Sequence, residues 1–149
     1  MFRIRSLSLA ALLLAAPALA APPAPAPAKQ TAPLTVTARL VKIPGKLPPD
    51  ELYDYAFVMK YQVVGGKLDK QVLLVAHYKP LRPRAKIDDK MKKVVSGDVK
   101  SFKEGDLHQL VLTPELRKHW KGAVVDELFA TDRKSQRYFC LRADLAKAR

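Results

Sequence analysis

Residues 55–78, YAFVMKYQVVGGKLDKQVLLVAHY, decide the fold of this chain because apolar side chains recur there at every second position. That period predicts two strands, and Gly65 and Gly66 between them accept the positive φ angles of a chain reversal. Apolar residues on the second face of both strands are typical of strands covered on both sides. We predict a β-hairpin with one face formed by Tyr55, Phe57, Met59, Tyr61, Val63, Val72, Leu74, Ala76 and Tyr78, and the other by Ala56, Val58, Val64, Leu73 and Val75.

Shorter patterns on either side of the hairpin extend the sheet. Residues 34–40 alternate apolar and polar side chains, and the change of apolar face at Leu40 and Val41 predicts a β-bulge. Residues 107–112 alternate again and predict a short strand. Two closing strands are predicted at residues 124–130 and 137–141. They meet across a polar turn at residues 131–135.

A single short helix completes the predicted fold. Thr113 is a typical N-cap residue, Pro114 suits the first helical position, and Gly122 is expected to end the helix. Five or six short strands with one short helix and no βαβ alternation predict a mainly β fold. Both a small barrel of the oligonucleotide/oligosaccharide-binding (OB) type and a compact sandwich satisfy this pattern.

The N-terminal residues predict export. Residues 1–20 combine Arg3 and Arg5 with an apolar run and a small-residue triplet, which is the pattern of a cleaved signal peptide. Residues 21–33 are rich in Pro and Ala and predict an extended linker, so we expect one β-rich domain at 34–149. The apolar run is too short to cross a bilayer. We expect a periplasmic or secreted protein with no transmembrane segment after cleavage.

The chain is strongly basic. It has 27 Lys and Arg residues against 14 Asp and Glu residues, and its formal net charge of +13 becomes +11 when cleavage removes Arg3 and Arg5. A positive field of this size favours anionic partners. The positive charge is densest in residues 82–103, which we call the basic segment. Its candidate anion-binding residues are Arg82, Arg84, Lys86, Lys90, Lys92, Lys93, Lys100 and Lys103.

The basic segment is expected to lie outside the β core and to bind an anionic partner. Anionic polysaccharide, a phospholipid surface and an acidic protein all offer the required charge. Nucleic acid is disfavoured because residues 79–101 contain no aromatic side chain on which bases could stack. A solvated loop without a partner explains the same composition, and this alternative stays open.

Several short motifs follow one another between residues 53 and 141: Tyr61, Gly65–Gly66, the run VLLVAHY at 72–78, Gly105–Asp106, Leu110, Leu112 and Asp126–Glu127–Leu128. This order resembles that of an uncharacterised family of small exported bacterial domains. The resemblance implies a periplasmic β-barrel, sometimes associated with machinery that modifies or exports cell-surface polysaccharide, and it implies no reaction. The basic residues at 82–93 depart from that pattern.

The sequence contains no catalytic or metal-binding motif. No Ser lies in a Gly-x-Ser-x-Gly elbow, and His77, His108 and His119 lack the spacing of a preorganised zinc site. We therefore expect a non-enzymatic protein without a cofactor. The side chain of His77 is expected to point opposite to Ala76 and Tyr78 and to hydrogen-bond with a neighbouring carbonyl or hydroxyl group.

Two other functions stay open at this point. The first is an accessory or structural subunit of an envelope or polysaccharide-modifying complex, and the second is an enzyme that uses His77. Cys140 is the only cysteine, which excludes an internal disulfide. Its apolar neighbours predict a buried thiol, and a disulfide between two chains is the alternative.

Overall fold

The computed structural model describes residues 31–147, so the predicted signal peptide and most of the predicted linker lie outside the described residues. The strands are β1 (Leu34–Lys42), β2 (Tyr55–Val63), β3 (Val72–Tyr78), β4 (Ser96–Gly97), β5 (Leu107–Thr113), β6 (Ala123–Val125) and β7 (Arg137–Leu145). The helices are the short α-helix α1 (Leu116–His119) and the 3-10 helices Arg84–Lys86 and Glu127–Ala130. Within this range no helix has both the length and the apolar character needed to cross a membrane.

The strands form one mixed sheet whose hydrogen bonds close into a ring. The order along the sheet is β1-β5-β7-β3-β2-β6, β4 pairs with β7, and β1 pairs with β2 as well as with β5. The β3–β7, β2–β6 and β4–β7 pairs are parallel, and the other pairs are antiparallel. The predicted mainly β fold with one short α-helix is confirmed. Residues 31–147 hold seven strands rather than five or six, because the two-residue strand β4 is added to those predicted.

Three predicted elements occur where the alternation places them. β2 and β3 form the expected antiparallel hairpin, and β5 covers the predicted strand at 107–112. The register of the β1–β2 pair shifts between Leu40 and Lys42, where a bulge is predicted. Alternation identifies these strands because their alternate side chains enter a common core.

The predicted strand at 124–130 is correct only for residues 124 and 125 and is wrong beyond Val125. β6 ends at Val125, and the chain then turns because the Asp126 carboxylate accepts a hydrogen bond from the Leu128 amide at 3.1 Å. This bond begins the second 3-10 helix. The predicted pairing of the two closing strands is also wrong, since β6 pairs with β2 and not with β7.

Two predicted boundaries also differ from the structure. β7 continues to Leu145, four residues beyond the predicted end, because it pairs with β5 along that length. α1 begins at Leu116 rather than Pro114, since Glu115 is its N-cap residue. Thr113 instead accepts a hydrogen bond from the Glu115 amide at 3.2 Å, which forms a turn before the helix.

Two apolar clusters lie on opposite faces of β2 and β3. The first cluster takes residues from all five strands of the ring and therefore fills its interior. It includes Phe57, Met59 and Val75, whereas Val58 and Ala76 belong to the second cluster on the outer face. The predicted grouping of faces across the hairpin is wrong. Met59 is predicted to share a face with Leu74 and Ala76, but it pairs with Val75, which is predicted on the other face.

Candidate functional site

The basic segment begins with a buried arginine. Arg84 is 2% exposed, and its guanidinium donates hydrogen bonds to the carbonyls of Tyr78 at 2.7 Å, Lys79 at 2.5 Å and Arg82 at 2.9 Å. Burial lowers the pKa of Arg84 to about 10. These bonds fix the path of the chain after β3. The prediction that Arg84 lies on an exposed surface is wrong, because its donors satisfy backbone groups that would otherwise be unpaired.

A second buried cation precedes the basic segment. Lys79 Nζ lies 2.6 Å from Asp54 Oδ1 and 3.4 Å from Asp89 Oδ2. The hydrogen bond that Lys79 donates to Asp54 raises the pKa of the lysine. The Tyr78 hydroxyl also donates to Asp89 Oδ2, at 2.7 Å. Together these contacts hold the β1–β2 connection against the start of the basic segment.

Apolar side chains attach the basic segment to the sheet. Ile87, Met91 and Val95 recur at every fourth position, are buried, and belong to the second cluster. Val99 and Phe102 follow and enter the first cluster. Because both halves of the segment are anchored in the core, the lysines between the anchors are held on the surface.

The exposed lysines of the basic segment are Lys86, Lys90, Lys92, Lys93, Lys100 and Lys103. Lys90 Nζ lies 3.9 Å from Asp54 Oδ2 and 5.4 Å from the centre of the Trp120 ring. The other five form no salt bridge with the part of the chain that the structure describes. We call these five residues, Lys86, Lys92, Lys93, Lys100 and Lys103, the lysine surface.

Part of the lysine surface borders a depression. Lys86 and Lys92 line it together with Arg82 and Asp88, and its volume is about 420 Å³. Arg82 lies 3.3 Å from Asp88 Oδ1 and 3.3 Å from Asp50 Oδ2, so its charge is shared with two carboxylates. Lys86 and Lys92 are therefore the predicted anion-binding residues that line the depression and form no salt bridge within residues 31–147.

The interior of the ring holds an unpaired histidine. His77 is completely buried, with its ring centre 5.6 Å from that of Tyr61 and 4.4 Å from that of Phe102. Neither ring nitrogen has a hydrogen-bond partner among residues 31–147, so the predicted hydrogen bond is wrong. The predicted orientation is confirmed, since Ala76 and Tyr78 belong to the outer cluster. Burial, followed by the charges of Arg84 and His108, holds the pKa of His77 well below its usual range.

His108 shares this interior, whereas His119 does not. His108 Nδ1 lies 3.1 Å from the Tyr61 hydroxyl oxygen, and its Nε2 has no partner within the described range. His119 instead stacks on Phe139, with ring centres 6.3 Å apart. Over residues 31–147 no group of three or more His, Cys, Asp or Glu residues is arranged to hold a metal ion.

Cys140 is buried in the first cluster, and the prediction of a buried thiol is confirmed. Its Sγ donates to the Arg142 carbonyl at 3.2 Å. Burial raises the pKa of the thiol to about 12. Because the thiolate is the reactive form, this cysteine is poorly placed for oxidation or for pairing with a second chain.

Two surface features are not predicted by the sequence patterns. The first is the pairing of Asp50 and Asp54 with cations beyond β3. The second is a cleft between α1 and the β6–β7 connection, where Phe129 is 51% exposed. Both features join residues that are distant in sequence, so no local period marks them. The one sequence signal for the cleft is Phe129, an isolated aromatic residue in the polar stretch 126–136.

No protein-family model, curated protein or solved structure matches this chain.

Proposed function

We propose that this chain is an exported, non-enzymatic domain that binds an acidic polysaccharide of the cell envelope through the lysine surface. The observation that carries the proposal is the set of five exposed lysines on an anchored segment that form no salt bridge within residues 31–147. An anchored segment loses less conformational freedom on binding than a free loop does. Several simultaneous charge contacts then give a polyanion its affinity.

An OB-like barrel is the finer fold that goes with this proposal. The ring of β1, β2, β3, β7 and β5 supports it, because the OB fold is a five-stranded barrel that commonly binds oligosaccharides or oligonucleotides. The resemblance to small exported bacterial domains associated with polysaccharide machinery points the same way. The signal-peptide pattern in residues 1–20 supports a periplasmic or secreted location.

The buried groups support a binding role over an enzymatic one. A general base must come within hydrogen-bond reach of its substrate, and His77 has no exposed surface. Nucleic acid is disfavoured for a related reason. Phe102 is the aromatic residue of the basic segment, and its burial leaves the lysines without a stacking platform.

One observation favours a second candidate function, an accessory subunit of an envelope complex. Leu52 and Tyr53, which are adjacent in the β1–β2 connection, are 72% and 59% exposed. Neighbouring apolar side chains exposed in this way are typical of protein contact sites. Association with a partner protein that persists at high salt would favour this function over electrostatic binding.

A salt series tests the proposed function. The dissociation constant for dextran sulfate, an acidic polysaccharide without carboxylate groups, would be measured at several salt concentrations with the wild-type chain and with the triple variant Lys86→Glu, Lys92→Glu, Lys93→Glu. We expect the variant to bind at least about tenfold more weakly, because three favourable charge contacts become repulsive. The slope of log affinity against log salt should also fall by about one for each lost contact.

A charge-matched variant provides the control. Lys42→Glu, Lys46→Glu, Lys67→Glu changes the net charge equally at exposed lysines outside the basic segment. An equal loss of affinity in both variants would show a response to net charge alone and would contradict the proposal. Unchanged affinity in the first variant would contradict it as well. Binding to phosphatidylglycerol vesicles without binding to dextran sulfate would replace the proposed partner by a lipid surface.

A further inference from the structure

The cleft between α1 and the β6–β7 connection has the size of a small-ligand site. Its volume is about 690 Å³, and ligand pockets usually measure about 300–1,000 Å³. None of its lining residues belongs to the basic segment. A ligand bound there would therefore contact a different part of the protein from the polyanion considered above.

An ion pair fixes the base of the cleft. Arg137 Nε lies 2.8 Å from Asp126 Oδ2, and the two side chains are 15% and 16% exposed. Arg137 also donates to the carbonyls of Ser135, at 2.7 Å, and Asp132. Because the guanidinium is held by several acceptors at once, it supports the neighbouring side chains in a defined geometry.

An aromatic ring forms one wall of the cleft. Phe129 is 51% exposed, and the guanidinium carbons of Arg133 and Arg137 lie 5.4 Å and 5.8 Å from its centre. The faces of an aromatic ring carry partial negative charge, which attracts both guanidinium groups and the polarised C–H bonds of a sugar ring. Both guanidinium groups lie over the ring, yet about half of the Phe129 side chain stays exposed. That exposed part can contact a ligand that carries both a ring and an acidic group.

The charges that line the cleft are only partly compensated. Lys118 lies 3.2 Å from Glu115, and Arg137 is paired with Asp126 as described above. Arg117 and Arg133 also line the cleft and form no salt bridge within residues 31–147. Guanidinium groups suit planar carboxylates because two parallel N–H donors meet two oxygens.

We propose that this cleft binds a carboxylate-bearing sugar unit of the uronic acid type. The exposed part of the Phe129 ring contacts the C–H face of the sugar, and Arg133, which lies over the same ring, binds the carboxylate, with Arg117 supplying a second positive charge from α1. This site uses none of the lysine surface, and it is independent of the function proposed above. It would hold one acidic sugar unit of an oligosaccharide, whereas the lysine surface needs an extended polyanion.

Calorimetric titration of the full chain with a trimer of galacturonic acid tests the site. We expect the trimer to bind and its methyl ester, which keeps the ring but loses the charge, to bind at least about tenfold more weakly. Citrate, which carries carboxylates but no sugar ring, should also bind more weakly than the trimer. Equal binding of the ester or of citrate, or no binding of the trimer, would overturn the proposal.

Substitutions identify the residues responsible. We expect Arg133→Gln and Phe129→Leu each to weaken trimer binding by about tenfold, with circular dichroism and the melting temperature used to verify folding. Lys134→Gln is the matched control, because it removes the same charge at the next position, outside the cleft lining, and should change affinity by less than about twofold. The Lys86, Lys92, Lys93 triple variant should keep trimer binding. Full affinity in both cleft variants, or loss in the triple variant, would contradict a separate site.

Discussion

At the scale of single residues, the structure differs from the sequence-based predictions mainly at buried polar side chains. Arg84 belongs by sequence to a run of exposed cations, yet it bonds to backbone carbonyls inside the fold. Charge density in a sequence does not show which cation will find such acceptors. His77 has the predicted orientation without the predicted hydrogen bond, because its neighbours Tyr61 and Phe102 present aromatic rings to it.

The burial of His77 predicts acid sensitivity. Its pKa in the folded chain lies below the ordinary value of 6.5 because burial disfavours the charged ring, and Arg84 and His108 add to this effect. The unfolded chain therefore binds the proton more readily, and stability is complete above about pH 6.5 and falls as the pH falls below that value. We expect His77 to account for a loss of up to about 2 kcal/mol between pH 7.5 and pH 5, which is the limit set by the unfolded value of 6.5.

Urea unfolding at both pH values checks this expectation. His77→Leu should remove the contribution of His77 to the acid dependence, whatever its effect on stability at neutral pH. The remaining dependence includes His108, whose pKa is also lowered by burial. His119→Gln, altered outside the ring interior, should keep the wild-type difference. An identical acid dependence in the wild type and in His77→Leu would mean that His77 is not held as described.

At the scale of elements, the predictable parts are the strands whose own sequence alternates. β1, the hairpin and β5 follow from a period of two. In β3 the period does not show which residues face the interior of the ring, because each residue from Leu73 to Tyr78 is buried. The extent of β7 and the pairing of β6 depend on strands distant in sequence, and the turn after Val125 depends on the side chain of Asp126. A local pattern does not contain these contacts.

Gly97 provides a sharp test of the attachment of the basic segment. It has a φ of +129°, and a Cβ atom there would lie 1.9 Å from the Ala143 carbonyl oxygen in β7. We expect Gly97→Ala to lower the free energy of unfolding by at least about 3 kcal/mol, because the positive φ and the backbone collision both oppose the side chain. Urea denaturation measures the change.

Gly66→Ala is the control for this substitution. Gly66 also has a positive φ, +70°, but a Cβ atom at that position meets nothing within 4 Å. The expected cost is therefore about 1 kcal/mol from backbone strain alone. An equal decrease in the free energy of unfolding for Gly97→Ala and Gly66→Ala would argue against the close β4–β7 contact.

At the scale of the whole molecule, the closed ring explains how the charge is distributed. The ring separates two apolar clusters, and the basic segment is anchored in both of them. Its first half lies on the outer face of β2 and β3, and its second half reaches the interior. The lysine surface is consequently attached to the sheet at several points, although its residues come from a stretch with little regular structure.

Cross-strand NOEs in the NMR spectra of the domain test this arrangement most directly. The account predicts contacts from β1 to both β2 and β5, and parallel contacts between β3 and β7 around the Val75 and Tyr138 pair. Together with the antiparallel contacts of β5 with β7 and of β2 with β3, these contacts require the ring to be closed. Contacts from β1 to only one neighbour, or the absence of β3–β7 contacts, would show an open sheet and would contradict the account.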